Sequence, residues 1–362
     1  MESLARREEE EAIWFPDEVW VLIVDRLHFM NALGQITVSK KWRELCYNRI
    51  RELSFAADTK HKLPLHILQK TPMLTTLKIG FDCFLTKNNP LEDISLHHLT
   101  QLTYLKMGTR SEERSNYFNQ DFLLSMQKLS TLVLCNITSI TDEVVQQLTT
   151  LKIISIEKCQ QITECSISHL TNLTCLEIFR NKSIKSEPLT QLTKLITLSV
   201  REASLSPEFI TTLPQLQFLS FYEKKPRPSM SGIGDSHLSC LAQLEKLTLV
   251  GDSVSNYSLE KLTNLQFLQL LFNRTITDEC LGKLTGLETL ILRQKRNISD
   301  KGLLQLTQLK TLIIFGKHDS ITDASIFALT NLKRLELYRC ASITDGAIAK
   351  MTNIIQIERK DQ

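Results

Sequence analysis

The sequence predicts an α/β solenoid: short strands stacked into one parallel sheet, with a short helix returning behind each strand. Three observations predict it. The phrase L-x-x-L-x-L recurs from about residue 50 onward, as in LTNLTCLEIFRN (170–181), LTNLQFLQLLFN (262–273), LTGLETLILRQK (284–295) and LTNLKRLELYRC (329–340). Its central aliphatic residue can be followed through fourteen copies from Leu53 to Ile357, most of them 21 to 23 residues apart. Between copies, most units carry an I-T-D-like turn and then apolar residues at helical spacing, as in ITDEVVQQL (140–148), ITDECLGKL (276–284) and ITDASIFAL (321–329).

Each element follows from the pattern. In x-L-x-L the side chains alternate, which makes a strand with one face inward. A single unit cannot bury that face, so the units must stack. The dominant period of 22 residues falls in the leucine-rich-repeat range. The expected architecture is therefore a leucine-rich-repeat solenoid of about 14 units, with parallel β on the concave face and short helices on the convex face. In the I-T-D turn, the Thr or Ser and the Asp are placed to cap the first turn of that helix. So short a unit leaves the helix about two turns.

Five residues after the central leucine stand Cys159, Asn181, Asp252, Asn273 and Cys340. These are expected to form an internal ladder that satisfies backbone groups in the tight loop after each strand. Other units place Ala203, Lys224, Lys295 or Lys317 there. Cys165, Cys175, Cys240 and Cys280 read as small apolar filler. Three units are long, and each has its extra residues after the strand: Leu77 to Leu91, Leu105 to Phe118 and Leu219 to Ile233. Their loops should leave the same rim, the third being basic and proline-stiffened.

Strand residues that alternate with the buried leucines point to the concave surface. One row contains Thr76, Tyr104, Phe218, Lys246, Phe267 and Arg334. A second, placed just past the strands, contains Phe179, Arg201, Tyr222, Leu271, Arg293, Phe315 and Tyr338. Exposed aromatics beside arginines are the composition of interface hot spots. The expected partner-binding set is Phe179, Arg201, Phe218, Tyr222, Phe267, Leu271, Arg293, Phe315, Arg334 and Tyr338.

Composition bounds the function. The 362 residues carry 43 basic and 40 acidic side chains, a net charge of +3, which gives no electrostatic reason to expect nucleic acid or a membrane surface. Nine cysteines are scattered without zinc spacing. Residues 1–11 are charged and lack the apolar core of a secretory signal, and no apolar run approaches membrane-spanning length. Reduced thiols in cytoplasm or nucleus are therefore expected. None of the G-x-S-x-G, H-E-x-x-H or phosphate-loop motifs occurs, so no catalytic residue, metal or cofactor is expected.

Residues 13–49 follow a different logic. All three tryptophans of the chain, Trp14, Trp20 and Trp42, lie there. Pro16, Asp17 and Glu18 make a good helix start, since proline suits the first position and acids complement the helix dipole. Val19, Leu22, Ile23 and Leu27 fall on one stripe. Leu33, Ile36 and Val38 imply a second helix, and KKWRELCYNRI (40–50) a third with Trp42 in its core. Three short helices in so few residues need a partner to complete their burial. Residues 1–12, with their acidic run, read as a disordered N-terminus.

The stretch F-P-D-E-V-x(7)-L followed by V-S-K-K-W-R-E-L resembles the F-box, with matches at Pro16, Glu18, Val19, Leu27, Leu33, Val38, Ser39, Lys40, Trp42, Arg43 and Leu45. Departures are Phe15 in place of leucine, His28-Phe29 in place of Asp-Pro, and Gly34-Gln35 in the second helix. With the repeats of residues 50–362, the chain resembles the F-box/leucine-rich-repeat proteins. The resemblance implies a substrate-recognition subunit of a Skp–cullin–F-box ubiquitin ligase. Phe15, Pro16, Val19, Leu22, Ile23, Leu27, Leu33 and Val38 would then face the Skp adaptor, and through it a cullin–RING ligase. The repeats would capture the protein to be ubiquitylated. Two alternatives stand beside it: a non-enzymatic repeat scaffold, and a bacterial or viral effector acting in the host cytoplasm. Ile50-Arg51-Glu52-Leu53-Ser54-Phe55 already has the repeat form, so the third helix runs into the first strand without a linker, and the joint should be stiff.

Overall fold

The computed structural model describes residues 47–48, 50–55, 68–79, 96–108, 120–203, 205–222, 233–293 and 297–360. Among these residues there are fourteen strands: β1 (Glu52–Phe55), β2 (Thr76–Ile79), β3 (Tyr104–Gly108), β4 (Thr131–Cys135), β5 (Ile153–Glu157), β6 (Cys175–Phe179), β7 (Thr197–Arg201), β8 (Phe218–Tyr222), β9 (Lys246–Val250), β10 (Phe267–Leu271), β11 (Thr289–Arg293), β12 (Thr311–Phe315), β13 (Arg334–Tyr338) and β14 (Gln356–Lys360). They form one sheet whose spatial order is the sequence order. Neighbouring strands pair in parallel and align equivalent positions, so Leu268 lies beside Leu247 and Leu290. These are the fourteen strands that the leucine spacing predicts.

Register follows from burial. Residues two and four of each five-residue strand point inward, and the leucines there, such as Leu268, Leu270, Leu290 and Leu292, are fully buried. The first leucine of the phrase (Leu151, Leu173, Leu265, Leu287, Leu332) is buried as well. A one-residue slip would turn the whole aliphatic set to water, which fixes the register firmly.

Behind the sheet run helices α1 (Asp142–Val145), α2 (Glu164–Ile167), α3 (Asp235–Leu238), α4 (Asn256–Leu259), α5 (Asp278–Leu281), α6 (Asp300–Leu303), α7 (Asp323–Ala328) and α8 (Asp345–Ala349). Units at Asp121–Ser125, Glu187–Gln191 and Pro207–Thr212 use 3₁₀ turns instead. Most helices span four residues, about one turn, so the expectation of two turns is corrected. The LTNL loop that follows claims the remaining length.

The turn acids also differ from expectation. Thr163, Ser255, Ser299, Thr322 and Thr344 do cap their own helices through the side-chain oxygen. The aspartates reach into the next unit instead. Asp142 accepts the Thr163 N–H at 2.8 Å and its hydroxyl at 2.6 Å. Asp300 does the same for Thr322 at 2.7 and 2.6 Å, and Asp323 for Thr344 at 2.7 and 2.7 Å. Asn256 substitutes in its unit, accepting the Thr277 N–H at 3.1 Å and donating to the hydroxyl at 2.8 Å. The I-T-D turn is thus a bracket between neighbours as well as a cap.

Two further ladders join the units. Asn181 donates to the Cys159 carbonyl at 2.7 Å, and Asn273 to the Gly251 carbonyl at 2.7 Å. Cys159 and Cys340 are fully buried in the same row, as predicted. Asp252 is not: it is half-buried and holds Arg274 through its backbone and guanidinium. Lys317 is exposed, and the next residue, His318, is the buried one. The asparagine of L-T-N-L makes the third ladder, since Asn172, Asn264, Asn331 and Asn353 each donate to a carbonyl of the preceding unit.

The filler reading of the cysteines holds only for Cys280, which is buried; Cys165 and Cys240 are exposed and Cys175 is half-buried. At the start of the repeat array Tyr47 and Ile50 are both buried. The Arg51 carbonyl receives the Thr75 and Thr76 N–H groups at 2.8 and 2.9 Å. The three long loops, residues 1–46 with all the adaptor-facing positions and Trp42, and the Lys224 and Lys295 positions lie outside the described residues.

Candidate functional site

The outward sheet face carries three rows of side chains, because residues one, three and five of each strand leave the core. The row placed past the strands in the sequence reading is in fact the fifth strand residue. Register puts Leu271 beside Arg293, Arg293 beside Phe315, and Phe315 beside Tyr338. The first row sets Phe218 beside Lys246 and Lys246 beside Phe267. Phe179, Phe218, Tyr222, Phe267, Leu271, Phe315 and Tyr338 are half-exposed, and Arg201, Arg293 and Arg334 exposed, so the ten expected residues share one solvent-facing surface.

Sequence reasoning omitted the third residue of each strand. That middle row includes Ser155, Glu177, Ser199, Ser220, Thr248, Gln269, Ile291, Ile313, Glu336 and Glu358. The alternation itself was the signal that would have found it. From β5 to β9 the row is polar and, apart from Glu177, short; at β11 and β12 it turns aliphatic.

A second omission is the residue after the strand. Asn136, Lys158, Arg180, Glu202, Phe272 and Arg339 all have positive φ, between 50 and 62°. Non-glycine residues there carry strain, which the surrounding hydrogen bonds hold in place. Each N–H continues the ladder, as in Phe272 to the Arg293 carbonyl at 3.1 Å. The left-handed turn lifts Phe272 onto the outward face, where its ring is 42% exposed.

These rows assemble into a stack at the C-terminal end. The Arg293 guanidinium lies 5.6 Å from the Phe272 ring centre and 5.8 Å from that of Phe315. Phe315 stacks on Tyr338 with centroids 4.4 Å apart and planes 10° apart. Lys360 then covers Tyr338 at 5.7 Å. Glu336, almost buried, accepts Arg334 Nε at 2.6 Å and the Tyr338 hydroxyl at 3.1 Å. Loss of solvation, and then the Glu336 carboxylate, hold the Tyr338 phenol above its ordinary value.

Toward the N-terminal end the face is more ionic. Arg180 bridges Glu157 at 3.6 Å and Glu202 at 3.3 Å, and Arg201 lies 5.4 Å from the Tyr222 ring centre. Lys78 pairs with Glu52 at 2.6 Å, a hydrogen bond that raises its pKa. Cys135 donates to Glu157, and burial with that charge pushes its thiol up to about 12, which makes it a poor nucleophile. Among the described residues no cluster of His, Cys, Asp and Glu is able to hold a metal, and no helix is long and apolar enough to cross a membrane. The arrangement offers contact area, cation–π pairs and hydrogen-bonding groups, the equipment of recognition.

No protein-family model matches the chain, and no curated protein does. Solved structures do. An internalin (InlF) from Listeria monocytogenes superposes with a TM-score of 0.55 at 21% identity, over 88% of this chain and 89% of that one. A leucine-rich-repeat protein of Leptospira interrogans gives 0.52 at 18% identity, over 89% and 93%. TLR13 in its complex with ssRNA13 gives 0.51 at 16%, over 87% of this chain and 55% of that one. At such identities the likeness is one of fold: this chain is a leucine-rich-repeat solenoid.

Proposed function

We propose that the protein is a non-enzymatic receptor that captures a protein partner on the outward face of its sheet. The observation that carries this is the run of half-exposed aromatic and exposed arginine side chains over β6 to β13. Large aromatic area beside guanidinium groups binds proteins well, because it buries much surface with few rotatable bonds. The test is a triple variant, Phe218→Ala/Phe267→Ala/Arg293→Ala, in a cross-linking screen for direct partners. Loss of partners with an unchanged circular dichroism spectrum is expected. Partners retained by the folded triple variant would refute the reading.

In its finer form the proposal makes this receptor the substrate-recognition subunit of a Skp–cullin–F-box ubiquitin ligase, working in cytoplasm or nucleus. Residues 13–49 would dock the Skp adaptor through Phe15, Pro16, Val19, Leu22, Ile23, Leu27, Leu33 and Val38. Support comes from the F-box-like residue pattern, and from the junction. Tyr47 and Ile50 are buried in the hydrophobic core that runs through the first units, and Lys70 covers the Tyr47 ring at 5.7 Å. A segment joined so directly to the array would aim whatever the array holds, so ubiquitin transfer would depend on proximity and orientation. Co-purification with the Skp adaptor tests this. The wild-type chain should retain the adaptor, and a Pro16→Ala/Val19→Ala pair should lose it. A wild-type chain that fails to bind leaves the scaffold without ligase function.

A further inference from the structure

Across β10, β11 and β12 the outward side chains are apolar or neutral with one exception, Arg293. Ile291 and Ile313 form the floor, flanked by Leu271 and Phe315, all half-exposed. Rings on both sides hold the guanidinium in place. Among the described residues Arg293 has no ion pair, whereas Arg180, Arg201, Arg274, Arg334 and Arg359 each have a carboxylate. The borders add no competing acid. Glu336 is engaged by Arg334 and Tyr338, Glu358 is engaged by Lys360, and the β9 side presents another cation, Lys246.

This asymmetry constrains what can bind. A partner covering the isoleucine floor would strip water from Arg293. Without a carboxylate in return, the buried unpaired guanidinium would cost more than the apolar contact gains. A purely acidic ligand would leave the aliphatic floor uncovered. We propose that this block seats an extended segment of a partner protein in which one Glu or Asp stands among apolar residues, the carboxylate on Arg293 and the apolar side chains on Ile291, Ile313 and the flanking Leu271 and Phe315. The proposal rests on the sheet face being the binding surface and names the chemistry it reads. An extended segment suits the site because alternate side chains of a strand fall at the spacing of the rows.

The test pans a displayed library of random twelve-residue peptides against the full chain. Affinities of the selected peptides are then measured by fluorescence polarisation on the wild type, Arg293→Ala, Arg293→Glu and Phe218→Ala/Phe267→Ala. Selected peptides should share an acidic residue flanked by apolar ones. Arg293→Ala should weaken them on the order of tenfold or more. Panning against Arg293→Glu should exchange the acid for Lys or Arg, a charge swap that a merely structural arginine would not produce. An empty selection, peptides without acidic enrichment, or equal binding by Arg293→Ala overturns the proposal. So does an oligothymidylate probe that binds through Arg293 more tightly than any peptide. Peptides sensitive to Phe218→Ala/Phe267→Ala but indifferent to Arg293 overturn this inference and leave the sheet-face reading standing.

Discussion

Asn181 is fully buried, yet every polar atom of its side chain is used. It donates to the Cys159 and Ile162 carbonyls at 2.7 and 3.3 Å and accepts the Ser183 N–H at 2.9 Å. Asn181→Ala should therefore cost about 2–4 kcal/mol, read as a lowered urea midpoint, since it orphans three backbone groups and leaves a cavity. Asn181→Cys should cost less, because cysteine already fills the same row at Cys159 and Cys340. A second prediction concerns thiols. Iodoacetamide should label Cys165 and Cys240 in the folded protein and spare Cys159, Cys280 and Cys340, as mass spectrometry can report. The first two are exposed; the others are buried, and burial pushes the Cys159 thiol up to about 11. The inner row was legible because it keeps a fixed offset from the leucine. The outward placement of Cys165 was not, since one helical turn is too short to reveal a phase.

At the scale of the element, the I-T-D turn joins units more than it caps helices. Asp300→Ala should cost about 2–3 kcal/mol, because the Thr322 N–H and hydroxyl lose their acceptor. Asp345→Ala should change stability by under about 0.5 kcal/mol, its side chain being 87% exposed with one ion pair to Arg359. The ladder also sets an acid limit. Burial opposes ionisation of Asp142, Asp235 and Asp300, but hydrogen bonds from the next unit outweigh it, and each carboxyl sits below its usual 3.8. The unfolded chain then binds more protons than the folded one. Stability from these groups is full above about pH 4 and is lost as pH falls through the lower folded values. Urea midpoints at stepwise lower pH should drop in that window, and Asp142→Asn/Asp235→Asn/Asp300→Asn should flatten the drop. The sequence showed the Thr–Asp pair but not its direction, because bonds to the same unit and to the next are identical in a repeated string.

At the scale of the whole molecule, burial depends on having a neighbour on each side. Leu268 is fully buried between two units, whereas the equivalent Ile357 on β14 is 45% exposed and Ile355 is 83% exposed. Leu268→Ala should cost about 3–4 kcal/mol and Ile357→Ala under about 1 kcal/mol, measured by urea unfolding. Amide exchange should likewise be fastest at β14 and slowest in the middle strands. By itself the sequence determined the repeat, the fourteen strands and their inward face, because a period of two within a period of 22 leaves one way to bury the leucines. It also determined ten outward residues, since whatever alternates with a buried leucine must face water. Only the tertiary structure decided which of them meet. Arg293 lies between Phe272 and Phe315 because parallel register sets positions one repeat apart side by side, and because a left-handed turn, invisible in the leucine pattern, raises Phe272 to reach it.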